Sequence, residues 1–241
     1  MATEKNSPSL SCKDCPFGNV SFYAPTWTSS PDAIQSLRSR VTTYKARQAI
    51  IYEGEESNLF GTLRQGWAYR YKNIGNGRRQ ILGFILPGDA MTLEMLTFGN
   101  LPLPFGVSAL SPATICWFPL EEMTELLRRK GPQDEHSRQM VHGYFNWLIR
   151  RNSAMGHTSA ASSLAELLLQ LMVRLKRCGM VSGNEYDFAP TQADLADSLG
   201  LTTIHVNRLL GGMKRQGILQ IEGKKMQVFD KVQLRRIVTQ G

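Results

Sequence analysis

The sequence predicts an α+β chain in which a strand-rich first half gives way to a helical, basic second half. Three observations carry this reading. Between about Ala46 and Leu120, short apolar runs are broken by Gly, Pro and Asn, the punctuation of an antiparallel barrel or roll. From Pro119 onward, apolar residues recur at three- and four-residue steps, as on helices. Finally, the segment from Gln192 to Gly211 has the residue spacing of a helix-turn-helix.

Bulk properties limit the alternatives. At 241 residues the chain can hold one large domain or two small ones. No apolar stretch approaches the roughly 18 residues that a membrane span needs. The opening MATEKNSPSLSCKDC is polar and lacks an apolar signal core, so a cytoplasmic location is expected. The cysteines Cys12, Cys15, Cys116 and Cys178 are then expected as reduced thiols or ligands. The net charge is +8, and its distribution is uneven: residues 150–241 carry 13 basic against 7 acidic residues, residues 1–149 carry 15 against 13. A basic second half suggests an acidic partner, nucleic acid being the commonest.

The elements follow in order. Residues 1–22 are polar and rich in Ser and Lys, and read as a flexible tail. Residues 23–131 hold the strand-rich domain. Within it, Gly75-Asn76-Gly77 is the best hairpin signal, because Gly and Asn tolerate positive φ. LEEMTELLRRKG is a short helix that stops at Gly131-Pro132. Residues 132–157 form a longer helix on which Val141, Tyr144, Leu148, Arg151 and Met155 recur on one face, flanked by Phe145 and Trp147. Such a helix either packs on its own domain or forms a dimerisation seam. Residues 158–241 open with another apolar helix, which ends at Gly179.

The helix-turn-helix lies in this last segment. Thr191, after Pro190, can cap the first helix. Counting Gln192 as first, Ala196 is fifth, Gly200 ninth and Val206 fifteenth. The fifth position must be small because the second helix crosses there; the ninth sits in the turn, where left-handed backbone favours glycine; the fifteenth points into the core. The second helix starts after Thr202. Thr203, His205, Asn207 and Arg208 face outward, with hydrogen-bonding groups suited to base edges in the major groove. Lys214 and Arg215 suit the phosphate backbone, as do Thr191 and Gln192 at the start of the first helix. GILQIEGKKMQVFD reads as two strands around a turn, a wing from which Lys224 can reach phosphate.

These residues resemble the cyclic-AMP receptor protein / FNR family of bacterial regulators. LGLTTIHVNRLLGGMKRQGIL is similar to that family's recognition segment, and GWAYRYKNIGNGRRQILGFILPGD to the middle of its β-roll, with Gly66, Gly77 and Gly88 at the usual turns. The resemblance covers most of the chain from about Ala46. It implies an N-terminal antiparallel, cyclic-nucleotide-binding-like β-roll that senses a signal, a long dimerisation helix and a C-terminal winged helix-turn-helix. It implies a homodimer on double-stranded DNA, with RNA polymerase as a further partner, and places the base-reading arginine at Arg208. The family often has glutamate where this chain has Ile204, so the half-site does not carry over; His205 and Asn207 resemble a subgroup with HVNR.

The resemblance also exposes departures. Cyclic-nucleotide binders of the family hold the ligand with a Gly-Glu pair and an Arg about ten residues on. Here Glu94 follows Leu93, and no arginine lies between Glu94 and Leu110. A cyclic nucleotide is therefore not the expected effector, whose identity stays open. Cys12, Cys15 and Cys116 resemble three ligands of the FNR branch's [4Fe–4S] cluster, but Ser21 stands near the place of the fourth. A cluster, a thiol switch or another metal, and a merely incidental tail are the alternatives; no cofactor is the leading expectation. His136, His142, His157 and His205 show no convergent ligand spacing. No nucleophile elbow, P-loop or dinucleotide fingerprint marks an enzyme. The competing function is a ligand or redox sensor whose helical hairpin contacts protein rather than DNA.

Overall fold

In the computed structural model, which describes residues 11–75, 77–128, 132–154 and 158–240, the strand-rich half folds into two antiparallel sheets. The strands are β1 (Arg40–Tyr44), β2 (Ala49–Ile51), β3 (Leu59–Gln65), β4 (Ala68–Asn73), β5 (Arg79–Ile85), β6 (Gly106–Ala109) and β7 (Ala113–Pro119). One sheet runs β1-β7-β3, the other β2-β6-β4-β5. The alternating apolar positions of these strands meet between the sheets, burying Phe60, Leu63, Ile85, Val107, Ile115 and Phe118. Gly66, Gly77 and Gly88 all take positive φ, at 86°, 70° and 91°, as turn positions require. Asn76 lies outside the described residues.

The expected tail is corrected by the residues from Ser11 onward. A turn closes from Cys15 N–H to the Cys12 carbonyl, a short 3-10 turn covers Gly18–Val20, and α1 (Ala24–Ser29) and α2 (Pro31–Leu37) follow. Phe22 and Ile34 are fully buried. Phe22 packs on Phe60 at 5.3 Å between ring centroids, and Tyr23 on Phe118 at 5.4 Å. The Trp27 indole donates to the Cys12 carbonyl at 2.6 Å, and Cys12 N–H donates to Gln35 Oε1 at 2.7 Å. Gly18 lies so close to the Trp27 ring that a β-carbon there would come within 2.1 Å of it. Single aromatic anchors, not periodicity, hold this segment.

Three helices complete the domain: α3 (Leu93–Phe98), α4 (Leu120–Arg128) and the long α5 (Pro132–Ala154). Pro132 opens α5, where a missing N–H costs nothing. The first part of α5 packs on its own domain, as one of the two readings expects. Met140, Val141 and Tyr144 pack against the roll's core. Phe145, Leu148 and Ile149 are instead 52%, 38% and 60% exposed. Val141 and Tyr144 therefore belong to the roll's core, and the exposed apolar run begins at Phe145. Met155 and the Arg151 side chain lie outside the described residues.

The chain divides into two compact units, residues 1–72 with 82–147 and residues 73–81 with 148–241. The second unit contains α6 (Ala160–Arg177), β8 (Val181–Ser182), β9 (Glu185–Asp187), α7 (Gln192–Leu199), α8 (Thr203–Arg215), β10 (Leu219–Glu222), β11 (Lys225–Val228) and α9 (Lys231–Gln240). Its core gathers Leu164, Leu168 and Leu175 of α6 with Val206, Leu210, Met226 and Leu234. The Ser162 hydroxyl ties α6 to α9 by donating to the Val238 carbonyl at 3.1 Å. The wing has four strands, in the order β10-β11-β9-β8, not the expected two. Among the described residues no helix is long and apolar enough to cross a membrane.

Candidate nucleic-acid interface

The helix-turn-helix is fixed by side-chain caps at both helix starts. Thr191 Oγ1 accepts from Asp194 N–H at 3.2 Å, and Thr191 N–H donates to Asp194 Oδ2 at 2.8 Å, a reciprocal capping box. The Asp194 carboxylate is almost wholly buried, and its other oxygen accepts from Arg79 Nη2 at 2.9 Å. Arg79, which belongs to the same compact unit, also donates from Nε to Asp197 Oδ2 at 2.8 Å. The buried charge is thus paired and hydrogen-bonded, the condition for tolerating it. At the far end Gly200 takes left-handed angles, φ 68° and ψ 26°, and turns the chain so that Thr202 caps α8 by accepting from His205 N–H at 3.2 Å.

Val206, Leu210 and Met213 bury one face of α8. This forces Thr203, Ile204, Asn207 and Arg208 onto the exposed face, while His205 is half-buried. Arg208 is exposed and makes no ion pair among the described residues. The sequence therefore located the outward polar face, with His205 at its edge. Thr191 and Gln192 are exposed at the start of α7, although the Thr191 hydroxyl is already donated to Asp194 at 2.7 Å.

The flanking cations differ in availability. Lys214 pairs with Glu222 of the wing at 2.6 Å, so a phosphate would have to compete for it. Arg215 is exposed. Lys224 is exposed on the turn between β10 and β11. Its neighbour Lys225 is held by Asp187 at 2.8 Å and Glu185 at 3.1 Å, which push its pKa up. That pairing brings β9 onto the wing, a contact between residues 38 apart that no local pattern signals.

The roll has a second cluster that the sequence did not assemble. Arg70 of β4 donates to the Met91 carbonyl at 3.0 Å and the Ala90 carbonyl at 2.9 Å. Its guanidinium lies over Phe105 at 5.5 Å and Tyr144 at 5.1 Å. Nearby, the Thr92 hydroxyl is buried without a hydrogen-bond partner among the described residues, and the buried Glu94 carboxylate faces the Tyr144 phenol. Burial pushes the Tyr144 phenol up in pKa, opposed by the Arg70 charge and reinforced by that of Glu94.

The cysteines do not form a ligand set. Cys12 and Cys116 are buried, Cys15 half-buried. Arg38 Nη1 donates to Cys12 Sγ at 3.6 Å. Burial raises the pKa of Cys12 and pushes that of Cys116 up to about 11, against the opposing charges of Arg38 and Arg64. The Ser21 hydroxyl, at the place of the missing ligand, donates to the Gly18 carbonyl at 2.6 Å. Among the described residues no three His, Cys, Asp or Glu side chains stand together so as to hold a metal ion. With the Ser21 hydroxyl spent on the Gly18 carbonyl, Cys12, Cys15 and Cys116 supply at most three of the four ligands of such a cluster.

Comparison with known proteins agrees with this geometry. Residues 162–237 match the Crp-like helix-turn-helix domain and residues 41–130 the cyclic nucleotide-binding domain. The anaerobic regulatory protein of Pasteurella multocida is 25% identical over 229 residues, covering 93% of this chain and 81% of that one. The transcriptional activator protein FnrL of Cereibacter sphaeroides is 25% identical over 221 residues, covering 89% and 86%. Among solved structures, FixK2 of Bradyrhizobium japonicum superimposes with a TM-score of 0.72 at 22% identity, covering 82% of this chain and 96% of that one. A CRP/FNR-family regulator of Thermus thermophilus gives 0.62 at 17% identity, covering 83% and 98%.

Proposed function

The chain belongs to the Crp/Fnr family of DNA-binding transcription regulators, and from that premise we propose that it works as a homodimer reading an inverted-repeat site. The observation that carries the reading is the exposed face of α8, where Thr203, Asn207 and Arg208 stand on a scaffold whose caps are complete. Arg208 reads a guanine through its O6 and N7. Asn207 and His205 add contacts beside it. Gln192, Thr191, Arg215, Lys224 and, once released from Glu222, Lys214 hold phosphates and set the register. Phe145, Leu148 and Ile149 form the dimer seam on α5, which places two recognition helices about 34 Å apart, one turn of DNA. The protein works in the cytoplasm, without enzymatic activity, and engages RNA polymerase at its promoters.

The signal is sensed in the roll and is not a cyclic nucleotide. Arg70 is already committed to two carbonyls and two rings, and no arginine lies between Glu94 and Leu110 to pair with a cyclic phosphate.

Arg208→Ala tests the reading. It is expected to weaken specific binding by about 1–3 kcal/mol and to relax the preference at one base pair. Wild-type affinity should fall steeply with salt, by close to one order in log K per log salt for each phosphate held. Unchanged specific binding by the variant removes Arg208 from the role. A flat salt response favours protein contact over DNA.

A further inference from the structure

Ile204 is the residue of α8 that helix formation and packing leave unexplained. It stands second in the helix and is 74% exposed, more than any other exposed large apolar side chain described. β-Branched residues are poor helix formers, and this one gains nothing from burial. Its surroundings are polar: Thr203 precedes it, and Asn207 and Arg208 lie one turn on, all exposed. A lone apolar side chain inside a hydrogen-bonding face does not make a protein-docking patch, which needs contiguous apolar area. It does match the major groove, where each base edge offers donors and acceptors and only thymine adds an apolar group, its C5 methyl.

We propose that Ile204 reads a thymine methyl beside the base pair contacted by Arg208. The inference rests on the DNA-reading function proposed above. Four residues of helix advance about 6 Å along the axis, close to two base steps of about 3.4 Å. The thymine therefore lies within about two base pairs of the guanine that Arg208 reads.

The test uses the full-length protein. Random-sequence duplexes are enriched for binding, and each thymine of the selected half-site is then replaced singly by deoxyuridine, which removes only the methyl. Wild type is expected to lose about fourfold at one thymine, the worth of one buried methyl at about 0.8 kcal/mol. Ile204→Ala should lose less than twofold there, with an unchanged thermal midpoint because the side chain is exposed. Ile204→Glu should shift the preference at that position toward cytosine, whose amino group a carboxylate accepts. Equal sensitivity of wild type and Ile204→Ala to the methyl, or no sensitive thymine near the Arg208 base, overturns the inference and leaves the DNA reading standing. Failure to enrich any sequence overturns both.

Discussion

The two units of this molecule treat their polar groups in opposite ways. In the second unit, α6, α7 and α8 each start on a side chain that accepts a backbone N–H: Ser159, Thr191 and Thr202. Its one buried carboxylate, Asp194, has both oxygens engaged. In the first unit, α1, α2 and α3 have no side-chain cap bond. Buried side-chain polar atoms left without a partner among the described residues lie there, on Thr42, Arg64 and Thr92. A saturated unit is rigid, which suits a surface that must match a groove. Unsatisfied groups cost about 1–3 kcal/mol each, and that cost is recoverable by anything that supplies the missing bond. The contrast suits a reader on one side and a sensor on the other.

The contrast breaks most visibly at Asp194. Asp194→Ala is expected to destabilise the protein by about 3–5 kcal/mol, because it removes a capping box and leaves the Arg79 charge without that partner. Thermal unfolding followed by circular dichroism measures it; a loss below about 1 kcal/mol would mean that saturation of the head matters little.

Next comes an alkaline effect confined to the roll. Burial pushes the Cys116 thiol from 9.0 up to about 11. A folded pKa above the unfolded one means that the native state keeps its proton longer. The stabilisation is complete below pH 9 and is lost as the pH rises through 11, on the order of 2 kcal/mol. Urea midpoints at pH 8 and pH 10.5 should differ accordingly, and Cys116→Ala should shrink the difference, the remainder coming from Cys12 and Tyr144, whose pKa values burial also raises. An equal slope in both proteins assigns the effect elsewhere.

The smallest effect has the opposite sign. Glu94→Gln keeps the shape and the contact with the Tyr144 phenol but removes a buried carboxylate charge, so it should stabilise the roll by about 1 kcal/mol. A destabilised variant would show that the carboxylate has a partner worth more than its desolvation. Either result sharpens what kind of ligand the roll accepts.

Local pattern made the head legible in sequence and left parts of the roll hidden. Ala196, Gly200 and Val206 occupy positions whose demands are steric and local, so spacing alone located α7, the turn and α8. Gly66, Gly77 and Gly88 likewise declared their turns through positive φ. The clamp from Ser11 to Leu37 gave no such sign, since Phe22, Tyr23, Trp27 and Ile34 follow no helical or strand period and find partners across the fold. β8 and β9, of 2 and 3 residues, are too short to show alternation. Arg70 and Glu94 lie on different elements, and Arg79 meets Asp194 across 115 residues. Spacing within one element cannot foresee such meetings.

The exposed run Phe145, Leu148 and Ile149 also has a consequence in time. It is translated after every strand of the roll and before α7 and α8. At roughly 5–20 residues per second, the 66 residues from 150 to 215, the end of α8, take about 3–13 s to add. Throughout that interval a nascent chain carries a finished roll and an uncovered apolar stripe, but no recognition helix. Ribosomes following one another on a single messenger bring such stripes together, so the proposed dimer would form before either chain carries a recognition helix.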